Sequence, residues 1–302
     1  MFYSEIKSIL FHLISPKRHE IFFLPGTGVF MTDKSVYYDS YKEDRDIILE
    51  YNQINLKEVG VSNILGMGID NLTCMHAVAK VVKMIEEGGV HHVINLNPYK
   101  LLRYRANREL KTIYNKSSLR FTSGAGVQWA AKLLKFPIRE RIPFIHFMME
   151  LIRISEIKEL SIFLVGGKPE TAERAFSNIR KSFPNIRIVG RHGGFFNPDR
   201  EKSVVEAIRK SEANIVFVGM GFPKEDRWIA KFGKQFKNVV FISAGGSLDI
   251  ISGENRKAPE FFTERGTEWF YRIITKPWRI GRFFRVGFFF AHTLLYRLFK
   301  AR

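Results

Sequence analysis

The chain has 302 residues, 45% of them hydrophobic, and its 48 Lys and Arg against 30 Asp and Glu give a formal net charge of +18. That length and apolar content supply one substantial core, or one core with an appendage, and so basic a balance points to an anionic partner: nucleic acid, an acidic membrane or a phosphorylated substrate. The single cysteine, Cys74, excludes an internal disulfide framework and a multi-thiolate zinc site, and suits a reducing cytoplasm.

The first 20 residues lack the apolar centre and cleavage site of a signal peptide. Residues 1–58 are mixed and weakly periodic, and read as an N-terminal extension of uncertain structure. From residue 59 the pattern becomes regular. A strand is expected over Val61–Gly66, a helix over Asn71–Glu87, a strand over His92–Asn97 and a helix running through Leu110 and Ile113. Strands follow at Ser161–Val165, Arg187–Gly190, Asn214–Gly219 and Val239–Ser243, separated by helices over Glu170–Ser182 and Arg200–Ser211. Apolar strands alternating with helices predict an α/β fold, a Rossmann-like, mostly parallel sheet with helices on both faces. The core is assigned to 59–262. Ligands of such folds bind beyond the carboxyl ends of the strands.

Residues 263–302 form a C-terminal appendage in which Arg272, Lys276, Arg279, Arg282 and Arg285 alternate with phenylalanines. Aromatics on several helical faces favour contact with a membrane surface over packing on the core. The longest uncharged apolar run there, Val286–Tyr296, falls short of the roughly 20 residues that a spanning helix needs. A peripheral association with the cytoplasmic membrane is therefore expected. Net charge alone is the argument for nucleic acid, and the clustering of arginines with aromatics in one tail argues against it.

Four stretches could carry chemistry. Asn95 and Asn97 at a strand end can hydrogen-bond a sugar, or serve the turn before Pro98. In "FTSGAGVQWAAKLL", Gly124 and Gly126 allow close approach of backbone to a ligand or tighten a turn; Trp129 stands near where a dinucleotide fingerprint wants another glycine. Gly166, Gly167, Gly193 and Gly194 end two strands and either cradle a nucleotide or punctuate strand-to-helix turns. In "VGMGFPKEDRWIA", Glu225 and Asp226 beside Lys224 can do acid–base work, or favour the positive end of a helix. No histidine has metal-ligand spacing, so no metal is expected.

In this order, "NILGMGID", "NLNPYKL", "SGAGVQWAAKLLKFPIRERIP", "LVGGKPETAERA", "IVGRHGGFF", "VGMGFPKEDRWIA" and "SAGGSLDIISGENRKAPEFFTERGTEWFYRIITKPWR" resemble the WecG/TagA/CpsF family of bacterial glycosyltransferases. The resemblance spans roughly residues 61–285. It implies transfer of a sugar of the N-acetylmannosamine type from a UDP-sugar to a polyprenyl-diphosphate-linked sugar at the inner leaflet. The product would feed teichoic acid, exopolysaccharide or a related surface polymer. No cofactor is implied beyond the donor, and self-association is plausible for the family. The departures matter. Where the family has an aspartate, its proposed base, this chain has Ser123, which cannot accept a proton unaided. Where it has Gln-Glu, this chain has Glu225-Asp226.

The site expected from residues and resemblance together has Glu225 as base with His146 behind it, and Asn95, Asn97 and Ser123 positioning the sugars. Gly124, Gly126, Arg141, Gly166, Gly167, Gly193, Gly221, Pro223 and Lys224 would line the substrates. Arg272, Arg279 and Arg282 would neutralise the diphosphate, since guanidinium forks match phosphate oxygens. The competing expectation is a UDP-sugar-binding paralogue that has lost transfer with the aspartate.

Overall fold

The structure is a computed structural model that describes residues 22–23, 30–31, 44–255, 258–259, 261–262, 266–275 and 281–300. A short antiparallel pair, β1 (Phe22–Phe23) and β2 (Phe30–Met31), comes first, followed by helix α1 (Asp44–Asn52). β3 (Gly60–Ile64) and β4 (Met67–Asn71) form a hairpin, and α2 (Cys74–Glu87) follows. Then come β5 (Val90–Leu96), α3 (Pro98–Ala106), α4 (Arg108–Asn115), β6 (Leu119–Thr122), α5 (Ala125–Leu133) and α6 (Phe144–Ile157). The second half runs β7 (Ser161–Gly166), α7 (Pro169–Ser182), β8 (Arg187–His192), α8 (Pro198–Ser211), β9 (Ile215–Gly219), α9 (Lys224–Phe232), β10 (Val239–Ser243) and α10 (Ser247–Ile251). Two C-terminal helices, α11 (Glu268–Thr275) and α12 (Gly281–Lys300), complete it.

β5–β10 form one sheet in the order β6-β5-β10-β9-β7-β8, every pairing parallel. Three of its inner strands, β7, β9 and β10, are apolar on both faces, as a sheet covered on both sides requires. Alternation along each strand divides the core. Ile162, Leu164, Ile215, Phe217, Val240 and Ile242 face α2, α6 and α7. The intervening Phe163, Val165, Val216, Val218, Val239 and Phe241 face α8 and α9. The third cluster joins Ile94 and Leu96 of β5 to α3, α4, α5, the β3–β4 hairpin and Phe289 of α12.

The expected α/β fold is the observed one. Four local readings change. The strand expected over Val61–Gly66 is one arm of a hairpin outside the main sheet, turned at Leu65 and Gly66, both with positive φ. α2 starts three residues later than expected, where the Thr73 hydroxyl accepts from the His76 N–H, and Asn71 closes β4 instead. The helix through Leu110 and Ile113 is two helices, because Asn107 breaks one and caps the next through Leu110 N–H. β5 begins two residues before the expected strand, at Val90, so His91 also lies inside it, and it ends at Leu96. Within the N-terminal extension, Ile47 of α1 is buried in the main core beside α2.

Candidate active site

All six parallel strands end at one edge. β5 leads to β6 on one side, whereas α10, after β10, packs against α7 on the other. The connections thus diverge between β5 and β10, which is where open α/β sheets leave a crevice for ligands.

On one flank the glycines hold the strand ends together. A Cβ on Gly166 would lie 2.6 Å from the Gly219 carbonyl oxygen, and one on Gly194 would lie 2.9 Å from Gly166 Cα. The Gly194 N–H donates to the Gly167 carbonyl at 2.7 Å, and a Cβ on Gly193 would press on Pro169. Backbone against backbone, not an empty cradle, is what demands glycine here. Lys224 donates to the Gly194 carbonyl at 3.3 Å and lies over the Phe196 ring.

At the centre, the first turn of α9 carries two wholly buried acids after Pro223, as its positive end favours. Glu225 Oε2 accepts from the N–H groups of Gly221 and Gly245, each at 3.0 Å. Gly221 has φ +81°, the left-handed region that lets its N–H turn back onto the helix. Glu225 Oε1 lies 3.5 Å from Nζ of Lys100, itself buried, and neither atom completes a hydrogen bond. Burial above all, with repulsion from Asp226, pushes the Glu225 carboxyl up to about 7, against the pull of Lys100 and of the two N–H groups.

Asp226 is bound differently. Ser243 donates its hydroxyl to Oδ1 at 2.6 Å and Tyr114 donates to Oδ2 at 3.0 Å. With its one proton spent, the Ser243 oxygen accepts from His92 Nε2 at 2.9 Å, which places the ring hydrogen on that nitrogen; Nε2 is also 3.6 Å from Asp226. Burial alone would raise Asp226, but the Lys100 charge and these donors outweigh it and hold the group well below the carboxylate range. Burial, then the Asp226 charge, pushes the Tyr114 phenol up, so it stays a donor. Two adjacent carboxyls therefore have opposite protonation behaviour: Asp226 is a fixed anion, and Glu225 exchanges its proton near neutral pH.

Around this pair the other expected residues fall as follows. Asn95 donates to the Ser243 carbonyl at 2.7 Å, tying β5 to β10. Asn97 caps α3 by accepting from the Lys100 N–H at 2.9 Å. Of the two readings of these asparagines, the structure employs both side chains internally. Ser123 donates to the Leu96 carbonyl at 3.2 Å, and the turn it begins packs directly on Pro98: a Cβ on Gly126 would lie 2.6 Å from Pro98 Cγ, and one on Gly124 2.9 Å from Pro98 Cδ. Structural tightening, the blander reading of that turn, is what the geometry requires. The contacts described for Glu225 and Asp226 come from α3, α4, β5 and the ends of β9 and β10, whereas His146 lies in the first turn of α6 and Arg141 in the segment before it. Arg279 lies outside the described residues, and so do the side chains of Arg272 and Arg282 on α11 and α12.

α12 covers the same edge. Phe290 meets Trp129 of α5 edge-on at 4.6 Å, and Arg285 stands 4.8 Å over the Tyr99 ring. Tyr99 meets Phe222 edge-on at 5.4 Å, and Lys100 lies beneath that ring at 5.7 Å. Phe284, Phe288, Leu295, Leu298 and Phe299 of α12 are exposed. Among the described residues no helix is long and apolar enough to cross a membrane, and no three His, Cys, Asp or Glu side chains gather as a metal would use.

Lys100, His92, Tyr114 and Ser243 were not among the expected site residues. The one clue in the sequence is "EDRW" itself, since two adjacent acids buried at a helix start need a cation and donors from elsewhere.

Comparison with known proteins shows the family of the chain. Residues 62–302 match the model of the glycosyl transferase WecG/TagA/CpsF family. Proteins of Staphylococcus aureus strains NCTC 8325 / PS 47, COL and MRSA252 are 30% identical over 242 residues, 80% of this chain and 92% of each relative. Each of the three is named N-acetylglucosaminyldiphosphoundecaprenol N-acetyl-beta-D-mannosaminyltransferase. The chain belongs to this family and is a glycosyltransferase.

Proposed function

We propose that this family member transfers an N-acetylmannosamine-type sugar from a UDP-sugar to a polyprenyl-diphosphate-linked sugar at the cytoplasmic membrane surface, with Glu225 as general base. The names of its relatives support the acceptor and the sugar. The observation that carries the role of Glu225 is its Oε1: buried, without a hydrogen-bond partner, on a carboxyl that titrates at about 7. A base poised near the working pH is both ionised and able to hold a proton.

In the reaction the acceptor hydroxyl attacks the donor's anomeric carbon. A new C–O bond forms, the bond to the diphosphate oxygen breaks, and UDP leaves with that electron pair while Glu225 Oε1 takes the hydroxyl proton. Inversion follows from a single displacement. Glu225 is wholly buried, and its partner Lys100 lies under the Phe222 ring, which Tyr99 meets edge-on; on this reading that cover moves aside for the acceptor to arrive. Asp226 keeps its charge throughout and holds the turn through Ser243 and Tyr114. Arg272, Arg279 and Arg282 are assigned, on their sequence, to the charge that grows on the leaving diphosphate. The exposed phenylalanines and leucines of α12 would rest on the bilayer.

The test is a donor screen with a lipid-diphosphate acceptor, reading released UDP, on the parent chain and on Glu225→Gln. The variant should bind UDP as the parent does and lose transfer by at least about a hundredfold, the usual contribution of a positioned base. Equal turnover would remove Glu225, and no release with any donor would leave a sugar-nucleotide-binding protein instead.

A further inference from the structure

A groove of about 610 Å³ lies away from the Glu225 centre, lined by Arg105, Ala106, Arg108, Lys111, Thr112 and Asn115 of α3 and α4. No acidic side chain lines it. Arg108, Lys111 and Thr112 follow one face of α4 at helical spacing. Among the described residues neither Arg108 nor Lys111 has an ion-pair partner, while the intervening Glu109 is spent on Arg227. Two like charges one turn apart work against the helix, and among the described residues no acidic side chain pairs with either.

Of the other lining groups, Thr112 spends its hydroxyl hydrogen on the Arg108 carbonyl at 3.1 Å, whereas Asn115 and Arg105 keep donors. Asn115 Oδ1 already accepts from the Tyr104 hydroxyl at 2.9 Å, which leaves its amide hydrogens for the groove. The Arg105 guanidinium is held by donating to the Leu65 carbonyl at 3.0 Å and by lying 5.4 Å over the Tyr296 ring of α12. Tyr296 is flanked within one turn by the exposed Leu295, Leu298 and Phe299. The groove thus offers positive charge and hydrogen-bond donors, and its rim is continuous with an exposed apolar stripe.

We infer that this groove binds the phosphate headgroup of an anionic phospholipid whose acyl chains run along the Leu295–Phe299 end of α12. Charge complementarity identifies the headgroup, since three cations with fixed donors match phosphate oxygens. The adjoining stripe identifies the bilayer as its source, since a free phosphate would need no apolar neighbour. The inference rests on the membrane-surface reading above, but names a site separate from the sugar-transfer centre.

The experiment is co-sedimentation of the full chain with vesicles of phosphatidylcholine alone and of phosphatidylcholine with phosphatidylglycerol, for the parent and for Arg108→Ser/Lys111→Ser. The parent should prefer the anionic vesicles. The double variant should lose about twenty-five-fold of that binding, roughly fivefold for each charge removed, and keep its weaker binding to phosphatidylcholine. Unchanged melting and unchanged UDP release on a detergent-dispersed acceptor confirm that the variant is folded and that the two sites are separate. Equal binding to both vesicles by the parent, or an undiminished preference in the variant, would overturn the inference. So would full protection of Lys111 from amine labelling by soluble glycerol phosphate, which would make the ligand a free phosphate. Loss of transfer in the parent would count against the functional reading and leave the groove untouched.

Discussion

Replacing Lys100 by Met tests whether the buried ion pair sets the pH at which this enzyme works. The Nζ–Oε1 separation is 3.5 Å. At an effective dielectric constant near 20, a pair at that distance attracts by about 5 kcal/mol, worth up to roughly three and a half pH units on the carboxyl. Relaxation and entering water reduce this, so an upward displacement of at least about one pH unit is expected. The sign follows from the charge: without the cation the Glu225 carboxylate is disfavoured, and the group titrates above the parent's value of about 7. The ascending, low-pH limb of kcat/KM, read as UDP release against pH, should move alkaline in Lys100→Met. Urea unfolding gives an independent readout. Glu225 rises from 4.5 in an ordinary carboxyl to about 7 when folded. The folded state therefore holds that proton more tightly, and stability falls by about 3 kcal/mol as pH climbs through this window. Glu225→Gln should flatten that slope, and the double variant Lys100→Met/Glu225→Gln should be more stable at neutral pH than Lys100→Met alone. An unmoved kinetic midpoint in Lys100→Met, or an unaltered stability slope in Glu225→Gln, would refute the reasoning.

Two further substitutions probe the scaffold. Gly126→Ala sets a methyl 2.6 Å from Pro98 Cγ, so the turn must part from α3; about 1–3 kcal/mol should be lost in urea denaturation, and a Tm equal to the parent's would show that the turn has room to give. Ser243→Ala removes a donor to Asp226 and the acceptor of His92, at about 1–3 kcal/mol. Because that bond favours an ionised Asp226, the loss should be full above the ordinary 3.8 and shrink as pH falls below it; a loss independent of pH would mean the hydroxyl serves packing alone.

Five of the six strands of the sheet were legible as short, largely apolar runs between helical patterns; β6 was not, being only four residues long with Arg120 inside it. β3–β4 was not, since "NILGMG" reads as one strand unless Leu65 is allowed a positive φ. Glu225 was reached from local sequence, whereas its opposition to Asp226 was not. That contrast depends on Lys100, Tyr114 and Ser243, which only the crossing of β5 beside β10 brings together. The glycine pairs were ambiguous for another reason: a glycine required by a neighbouring backbone and one required by a phosphate look the same in a linear chain. Lys100 gave no signal, because a lysine in the first turn of a helix is ordinarily exposed.

The cover over Lys100, the partner of Glu225, is assembled from distant parts of the chain: Arg285 stands on Tyr99, Tyr99 on Phe222, and Phe222 over Lys100. A ribosome delivers these pieces in the order 99, 100, 222, 225 and 285, so the last arrives after the whole sheet has been made. The nascent core therefore holds its two acids before it holds their lid, and a fragment ending before α12 would carry the sheet without the clasp on Tyr99. The pH at which such a fragment titrates would be its own, and would not describe the finished enzyme.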